Sequence, residues 1–476
     1  MIFNSIEFVF FFILVTLTYF ILPHKFRWFL LLAASCYFYM AFVPVYILIL
    51  GFTIVIDYFA GIMIENAPGK KRKLYLVFSL IANIGVLAIF KYYNFLNENL
   101  SLLLGSFDTK NPVPFLKILL PIGLSFHTFQ AMSYTIEVYR GNQKAERHFG
   151  IYALYVMFYP QLVAGPIERP QNILHQFHEV KKFNYDNISA GLKLMLWGFF
   201  KKLVVADRLG IYVDKVYDHP DAHNGNTFLL ATVFFAFQIY CDFSGYSDIA
   251  IGAARTMGFK LMTNFKSPYL AKSISEFWSR WHISLSSWFT DYLYIPLGGN
   301  RVSVPRWYFN LMFVFLLSGL WHGANWTFII WGGINGLYLV LAILIKKIKW
   351  ANFDTSPRAR FLNAKYFLQV ITTFLLVSFA WIFFRAKEVD DAFFIIKKMA
   401  SFEGQIFVPE PYQVLYPVMA ILILLSVETI DHYKKTHIAF FSHRNMAVRY
   451  AAYLFFAVMI LLFGVFDGGQ FIYFQF

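Results

Sequence analysis

His322 is the residue of this sequence best placed to do chemistry. It follows an apolar run, residues 309–321, and precedes Gly323, Ala324 and Asn325, which interrupt the pattern. A helix over thirteen residues rises about 20 Å, against about 30 Å for the hydrocarbon core of a bilayer. If the run is a membrane helix, its length predicts that His322 lies within the membrane. An ionisable residue at that depth indicates a functional site.

An imidazole in such a place could take a proton from an attacking hydroxyl, because the ordinary pKa of histidine lies near neutrality. The alternative is a structural histidine whose two ring nitrogens are bonded by neighbouring helices. Spacing alone favours neither interpretation. The nearby Trp321, Trp326 and Trp331 could form a shaped pocket or could simply pack.

A second histidine, His282, lies forty positions upstream among Trp278, Trp281 and Trp288. The surrounding stretch, residues 272–294, mixes aromatic and polar side chains without an apolar core run. This pattern predicts an amphipathic helix at the membrane interface and not a span. On the residues alone, an interface histidine with one wet edge is favoured over a catalytic one.

Two acidic residues, Asp242 and Asp248, occur in the segment YCDFSGYSD (residues 240–248), near the predicted end of a span. They could orient an imidazole, cap a helix or pair with Arg255. No zinc-ligand spacing, phosphate-binding glycine loop, dinucleotide fingerprint or Gly-x-Ser-x-Gly motif is present. We therefore predict no metal site and no bound cofactor.

The composition shows which elements must position these residues. Of 476 residues, 59% are hydrophobic and 14% are charged, and six apolar runs approach the length of about 20 residues that spans a bilayer. These runs are residues 6–21, 74–89, 228–239, 367–384, 414–427 and 451–465. The sequence predicts an all-α polytopic membrane protein, with about ten or more transmembrane helices in one domain over residues 1–476.

Two further features refine this prediction. The apolar segment 151–164 contains Pro160 and is too short to cross, which favours a re-entrant or broken helix. The net charge of +14 is typical of basic cytoplasmic loops in membrane proteins and does not indicate a nucleic-acid partner.

The stretches around both histidines resemble the signature of the membrane-bound O-acyltransferase family. They are FWSRWHISLSSWFTDYLYIPLGGNR (residues 277–301) and SGLWHGANWTFIIWG (residues 318–332). Further similar stretches are PIGLSFHTFQAMSYTIEVYRG (121–141), YPQLVAGPIERP (159–170), CDFSGYSDIAIG (241–252) and FIYFQF (471–476). The resemblance extends over essentially the whole chain, and it is strongest to the bacterial branch that O-acetylates alginate and peptidoglycan.

The resemblance implies a helical fold around a central tunnel, in which His322 would be catalytic and His282 would support it. It also implies transfer of an acetyl group from cytoplasmic acetyl-CoA to an exported polysaccharide or to a periplasmic SGNH-type partner, across a bacterial inner membrane. We place the predicted tunnel at Trp321, Asn325, Trp326, Asp242 and Tyr246. The basic mouth that would bind CoA is placed at Lys266, Lys272 and Arg280.

Two other functions are also compatible with the sequence. The same fold could pass D-alanine to teichoic acid, as another branch of the family does. A transporter would use the broken segments as a substrate site, but it predicts inverted repeats, and none is visible in the sequence.

Overall fold

The computed structural model describes residues 1–117, 120–163, 165–347, 364–434, 438–466 and 472. Within these ranges the regular structure is helical throughout, as the sequence predicts. Two predicted features fall partly outside them, namely Ala164 in the broken segment and the FIYFQF ending, of which only Ile472 is described.

The α-helices of the described residues are numbered in chain order. The first nine are α1 (Ile6–Ile21), α2 (His24–Met40), α3 (Ile47–Asn66), α4 (Lys70–Leu87), α5 (Tyr93–Gly105), α6 (Leu124–Arg140), α7 (Phe149–Met157), α8 (Tyr159–Leu162) and α9 (Pro170–His178). They are followed by α10 (Tyr185–Phe199), α11 (Asp207–Tyr217), α12 (Gly225–Thr256), α13 (Ile274–Arg280), α14 (Ile283–Phe289), α15 (Val304–His322), α16 (Trp326–Lys347), α17 (Ala364–Arg385), α18 (Val389–Ser401), α19 (Pro411–Lys434) and α20 (Met446–Phe463). There are also three π-helical turns. Ala88–Tyr92 joins α4 to α5, Phe200–Ala206 joins α10 to α11, and Thr290–Tyr294 follows α14.

Seven helices of the described residues are long and apolar enough to cross a membrane. They include α12, α16, α17, α19 and α20, and the shorter α1 is apolar as well. Apart from the largely buried α12, these helices carry exposed Leu, Ile, Val and Phe side chains on their outward faces, which is the surface that lipid requires. The prediction of a polytopic helical membrane protein is confirmed.

The chain divides into two compact units, residues 1–195 with 246–262, and residues 196–245 with 263–476. In the first unit, α3, α4 and α6 are joined by hydrogen bonds at the buried carboxylate of Asp57. Ser79 Oγ donates to it at 2.6 Å and Asn83 Nδ2 at 2.9 Å, and Ser79 also contacts Thr135 at 3.1 Å. Interhelical bonds of this kind replace the hydrophobic driving force that helices lack in lipid.

The predicted break in the segment 151–164 is confirmed in the first unit. α7 ends at Met157 and α8 begins at Tyr159, with Pro160 in its first turn. The carbonyl of Tyr155, next to the break, is satisfied inside the protein, because Gln130 Nε2 and Gln161 Nε2 donate to it at 2.5 and 2.7 Å. Irregular backbone at membrane depth needs such cover.

In the second unit, α15 and α16 form a hairpin whose backbones meet at two glycines. A Cβ on Gly319 would lie 2.2 Å from the carbonyl oxygen of Phe328, and one on Gly332 would lie 2.2 Å from that of Phe315. Small residues allow this close approach of membrane helices. The contact fixes α15, and with it His322, against α16.

We expect Gly332→Ala to destabilise the second unit, because its methyl group would meet backbone and not a movable side chain. Overpacking typically costs about 1–3 kcal/mol. Gly333→Ala is the matched control, since a Cβ there would lie at an ordinary 3.5 Å from Leu316. The midpoint of thermal unfolding is measured for both purified variants. Equal midpoints would contradict the close contact at Gly332.

Three sequence predictions are corrected by the helix bounds. α15 begins at Val304, five residues before the predicted start, and its 19 residues rise about 28 Å. A helix of this length can span the hydrocarbon core, so its length does not by itself place His322 within the membrane. Asp242 lies in the middle of the 32-residue α12 and not near the end of a span. The stretch 272–294 is not one helix but two short α-helices, which are separated at Trp281 and His282, followed by the π-helical turn Thr290–Tyr294.

Candidate active site

His322 is the last residue of α15, and aromatic rings surround it. The side chain is buried, with a residue exposure of 4%. Three rings approach the imidazole edge-on, with centroid distances of 4.9 Å for Trp321, 5.0 Å for Trp331 and 5.5 Å for Phe384. The helix ends here because Gly323 adopts an extended conformation, with its N–H still bonded to the carbonyl of Gly319 at 3.2 Å. The sequence thus places a titratable ring in an apolar, aromatic site.

A wall of tryptophans extends this surround to α13 and α17. Trp331 stacks on Trp381 at 5.6 Å, and Trp381 also contacts Trp281 at 5.1 Å. Trp278 meets Trp331 edge-on at 5.8 Å. Large rigid rings of this kind define a shape with little loss of side-chain entropy, and they exclude water.

His282 belongs to the same site. Its ring centroid lies 6.4 Å from that of Trp321. The centroid of the His322 ring lies 4.9 Å from the same indole. Phe243 meets the His282 ring edge-on at 4.6 Å. The two histidines, forty residues apart in sequence, therefore both lie next to the indole of Trp321.

His282 is held in an unusual backbone conformation at the break between α13 and α14. Its φ of 42° lies in the left-handed region, which residues other than glycine rarely adopt, and which tends to occur at functional sites. Asn264 secures the turn, since its carbonyl accepts the N–H of Ile283 at 2.9 Å. His282 lies outside the seven candidate spans and is 1% exposed, and burial lowers the pKa of its ring to about 3. The ring is neutral at physiological pH.

The carboxylate of Asp242, which we predicted in the tunnel, is engaged with a buried lysine. Lys202 Nζ lies 2.6 Å from Asp242 and 2.8 Å from Asp207. The N–H of Ile472 also donates to Asp242 at 2.7 Å. Of the alternatives considered for Asp242, an ion pair is the one observed, but its partner is Lys202 and not Arg255.

The remaining predicted tunnel residues differ in their roles. Asn325 caps α16, because its Oδ1 accepts the N–H of Thr327 at 3.0 Å and its Nδ2 donates to the carbonyl of Lys387. Trp326 is 51% exposed, whereas Trp331, a turn and a half further along α16, packs on the imidazole of His322. Tyr246 belongs to the first unit, where its ring stacks on Phe3 at 4.4 Å.

The structure brings the three predicted CoA-mouth residues together. The N–H of Lys266 bonds the carbonyl of Arg280 at 3.0 Å. Glu276 joins the other two, since it accepts from Arg280 Nη2 and from the N–H of Lys272, at 2.5 and 2.8 Å. Lys272 and Arg280 are half-buried and Lys266 is exposed. Three cations against one carboxylate leave this region positive.

Three residues of this site were not identified from the sequence. Asn264 and Ser284 bind around the His282 ring, and Phe384 packs on His322. Asn264 and Phe384 come from segments 18 and 62 residues away from the histidines that they contact, and no spacing rule connects such positions. Among the described residues, no three His, Cys, Asp or Glu side chains are grouped to hold a metal ion.

The sequence is similar to that of known membrane acyltransferases. A model of the MBOAT, membrane-bound O-acyltransferase family, matches residues 87–384, which include both histidines. The chain is 39% identical over 405 residues to a probable alginate O-acetylase of Pseudomonas aeruginosa, with 84% of this chain and 75% of the relative covered. It is 37% identical over 402 residues to a peptidoglycan O-acetyltransferase of Helicobacter pylori, with coverage of 79% and 74%.

A more distant relative is a teichoic acid D-alanyltransferase of Streptococcus thermophilus, 29% identical over 251 residues, with 49% of this chain and 59% of the relative covered. The helical membrane fold and the two buried histidines thus occur in a sequence that the family model matches over most of its length. The chain belongs to the membrane-bound O-acyltransferase family and is a membrane acyltransferase.

Proposed function

We propose that this acyltransferase moves an acetyl group from cytoplasmic acetyl-CoA to a hydroxyl of an exported cell-surface polysaccharide, directly or through a periplasmic SGNH-type partner. The observation that carries the proposal is the placement of both His322 and His282 next to Trp321, within a buried aromatic surround. The two relatives with the greatest coverage described above act, by their names, on alginate and peptidoglycan. Their bacterial source supports a place in the inner membrane, in contact with lipid.

The reaction proposed is a thioester-to-ester exchange. The hydroxyl oxygen bonds to the acyl carbon, the carbon–sulfur bond of acetyl-CoA breaks, and the hydroxyl proton ends on the CoA thiolate. In one route His322 takes that proton as general base and passes it on. In the other, His322 first accepts the acyl group on a ring nitrogen and then yields it to the hydroxyl. The surrounding tryptophans restrict water, which would otherwise hydrolyse the acyl group.

The donor would enter at the cluster of Lys266, Lys272 and Arg280. CoA carries phosphate groups at one end and the thioester at the other, so a positive mouth would hold the phosphates while the pantetheine arm reaches inward. A tunnel through the chain would then connect the donor with an acceptor on the far side of the membrane. No cofactor other than this donor is required.

Transfer of D-alanine to teichoic acid is the second candidate function. It is favoured by the similarity to the D-alanyltransferase, but that match covers 49% of the chain, against 84% for the alginate O-acetylase. The family assignment argues against the transporter that the broken segments also suggested. Acetyl transfer is therefore the function we propose.

Release of free CoA from acetyl-CoA tests the proposal. Purified protein in nanodiscs is incubated with acetyl-CoA, with alginate or peptidoglycan fragments as acceptor, and with or without a candidate periplasmic partner. We expect acceptor-dependent release of CoA together with acetyl ester on the acceptor. Consumption of a D-alanyl carrier-protein thioester, with acetyl-CoA left intact, would identify the second function instead.

The proposed mouth makes a separate prediction. We expect Lys272→Ala to raise the KM for acetyl-CoA about tenfold with little change in kcat, because one charge-assisted contact to a phosphate contributes about 1.5 kcal/mol. Lys215→Ala, which removes an exposed lysine bonded to Gln413 in the same unit, is the matched control. Steady-state kinetics at two salt concentrations measure both variants, and an unchanged KM for Lys272→Ala would rule out this position of the mouth.

A further inference from the structure

The side chain of Asn264 is bonded to the ring of His282, and this contact determines which ring nitrogen carries the proton. We propose that Asn264 is a positioning residue that holds His282 as the Nδ1–H tautomer, so that Nε2 carries a lone pair and acts as an acceptor of protons or hydrogen bonds. The inference rests on the proposed function in one respect only, namely that His282 takes part in acyl transfer.

The first step identifies the atom of Asn264 that faces the ring. Asn264 Oδ1 accepts the backbone N–H of Ser284 at 3.2 Å and the hydroxyl of Ser284 at 3.0 Å. A backbone N–H can only donate, so the atom that it meets must be the amide oxygen and not the amide nitrogen. The orientation of the Asn264 amide is therefore fixed by the backbone.

The second step fixes the proton on the ring. His282 Nδ1 lies 3.2 Å from this same oxygen. If Nδ1 carried no proton, two lone pairs would face each other at that distance, so Nδ1 must be the donor. A neutral imidazole has one N–H, and the other nitrogen is then an acceptor. Burial keeps the ring neutral, since it lowers the pKa of His282 to about 3.

The hydroxyl of Ser284 also lies near His282 Nδ1 and is a second group that could bond to this nitrogen. Its hydroxyl lies 3.5 Å from His282 Nδ1, but 3.0 Å from Asn264 Oδ1. The hydroxyl proton therefore goes to the amide, and the hydroxyl oxygen remains able to accept from Nδ1. Asn264 also holds the backbone of the turn through the bond from Ile283 N–H to its carbonyl. Asn264 thus supports both the left-handed backbone conformation of His282 and the Nδ1–H tautomer of its ring.

The tautomer gives His282 a defined part in the proposed reaction. With its lone pair on Nε2, the neutral ring can accept a hydrogen bond from the attacking hydroxyl while His322 carries the acyl group. As the hydroxyl oxygen bonds to the acyl carbon and the bond from that carbon to His322 breaks, the hydroxyl proton passes to the CoA thiolate, so that no net charge remains. In this state His282 cannot donate a hydrogen bond from Nε2 to a developing oxyanion.

The test uses full-length protein in nanodiscs, labelled with ¹⁵N-histidine. The signals of His282 are assigned by their loss in a His282→Gln variant, since ¹⁵N shifts distinguish protonated from unprotonated ring nitrogens. We expect the unchanged protein and Ser284→Ala to show a protonated Nδ1 and an unprotonated Nε2. Asn264→Leu, similar in size but without an acceptor, should lose this pattern. A protonated Nε2 in the unchanged protein, or an unchanged pattern in Asn264→Leu, overturns the proposal.

Turnover of acetyl-CoA tests the consequence. We expect Asn264→Leu to lose about 100-fold or more in kcat, as expected for a misplaced ring proton. Asn264→Asp, which retains an oxygen at the same position, should recover part of that loss, and it also serves if the leucine variant fails to fold. Equal turnover in all these variants would refute the positioning role. A protein inactive on acetyl-CoA but with the expected spectrum would refute the proposed donor and leave the tautomer standing.

Discussion

The His322→Asn variant should lose acyl transfer by about 10²–10⁴-fold, the contribution that a positioned general base or a nucleophilic imidazole makes. Asparagine approximates the size of the ring but has no basic nitrogen. The aromatic surround of Trp321, Trp331 and Phe384 should therefore remain packed while the chemistry is lost. Acceptor-dependent CoA release by the purified variant measures the effect.

His175→Asn is the matched control, because this histidine is exposed on α9 and contacts near neighbours in the chain, the carbonyl of Gln171 at 3.1 Å and the carboxylate of Glu179 at 3.8 Å. It should retain full activity. Thermal unfolding of both variants checks that neither has lost the fold. A well-folded His322→Asn protein with intact acetyl transfer would remove His322 from the mechanism.

The same preparation separates the two routes proposed for His322. An acyl-histidine intermediate predicts a burst of one CoA per protein before any acceptor is added. A general base predicts no CoA release until a hydroxyl is present. In either case His282 is expected to remain necessary, as a group that accepts a hydrogen bond at Nε2.

Helices that face lipid were predictable from the sequence, because their signal is their own composition. The run 6–21 matches α1 (Ile6–Ile21), and the run 367–384 lies within α17 (Ala364–Arg385). Lipid imposes apolar side chains on an entire helix face, whatever the rest of the protein does. His322 was singled out for a related reason, since an ionisable residue next to an apolar run stands out, whereas the predicted role of His282 rested on the resemblance to the family.

The ends of helices inside the protein were predicted less well, because small and polar residues occur both in loops and where helices pack closely. The polar segment around Asp242 suggested a helix end, yet α12 continues through it. Gly245 lies there because a Cβ would come within 2.8 Å of the carbonyl of Gly198. Small and polar residues thus mark close helix packing as well as loops. Similarly, α15 begins at Val304 with a proline in its first turn, a favourable start that the basic residue Arg306 obscured.

The direction of side chains was the least predictable feature. Trp326 and Trp331 are both close to His322 in sequence, but five residues turn an α-helix by about 140° beyond a full turn. They therefore lie on different faces of α16, and Trp331 is the one whose ring packs edge-on against the imidazole at 5.0 Å. Asn264 could not be found at all by local reasoning, because its contact with His282 depends on how two separate segments meet.

The buried charges of Lys202, Asp207 and Asp242 should produce the largest effect on stability. Lys202 lies in the π-helical turn Phe200–Ala206, its side chain is 1% exposed, and it is bonded to both carboxylates at 2.8 and 2.6 Å. Replacing it with methionine leaves two buried carboxylates without their cation. Removing one partner of a buried ion pair typically costs about 3–5 kcal/mol. We expect Lys202→Met to unfold at a clearly lower temperature, or to fail to accumulate in the membrane.

Lys387→Met gives the comparison, because Lys387 also pairs with an aspartate in the second unit, Asp218 at 2.9 Å, but its side chain is 61% exposed. Exposed pairs contribute about 0–1 kcal/mol, so the midpoint should hardly change. Adding Asp242→Asn to Lys202→Met should recover part of the loss, since one uncompensated charge is then absent. Midpoints for Lys202→Met and Lys387→Met that agree within error would show that the buried charges do not hold this part of the fold together.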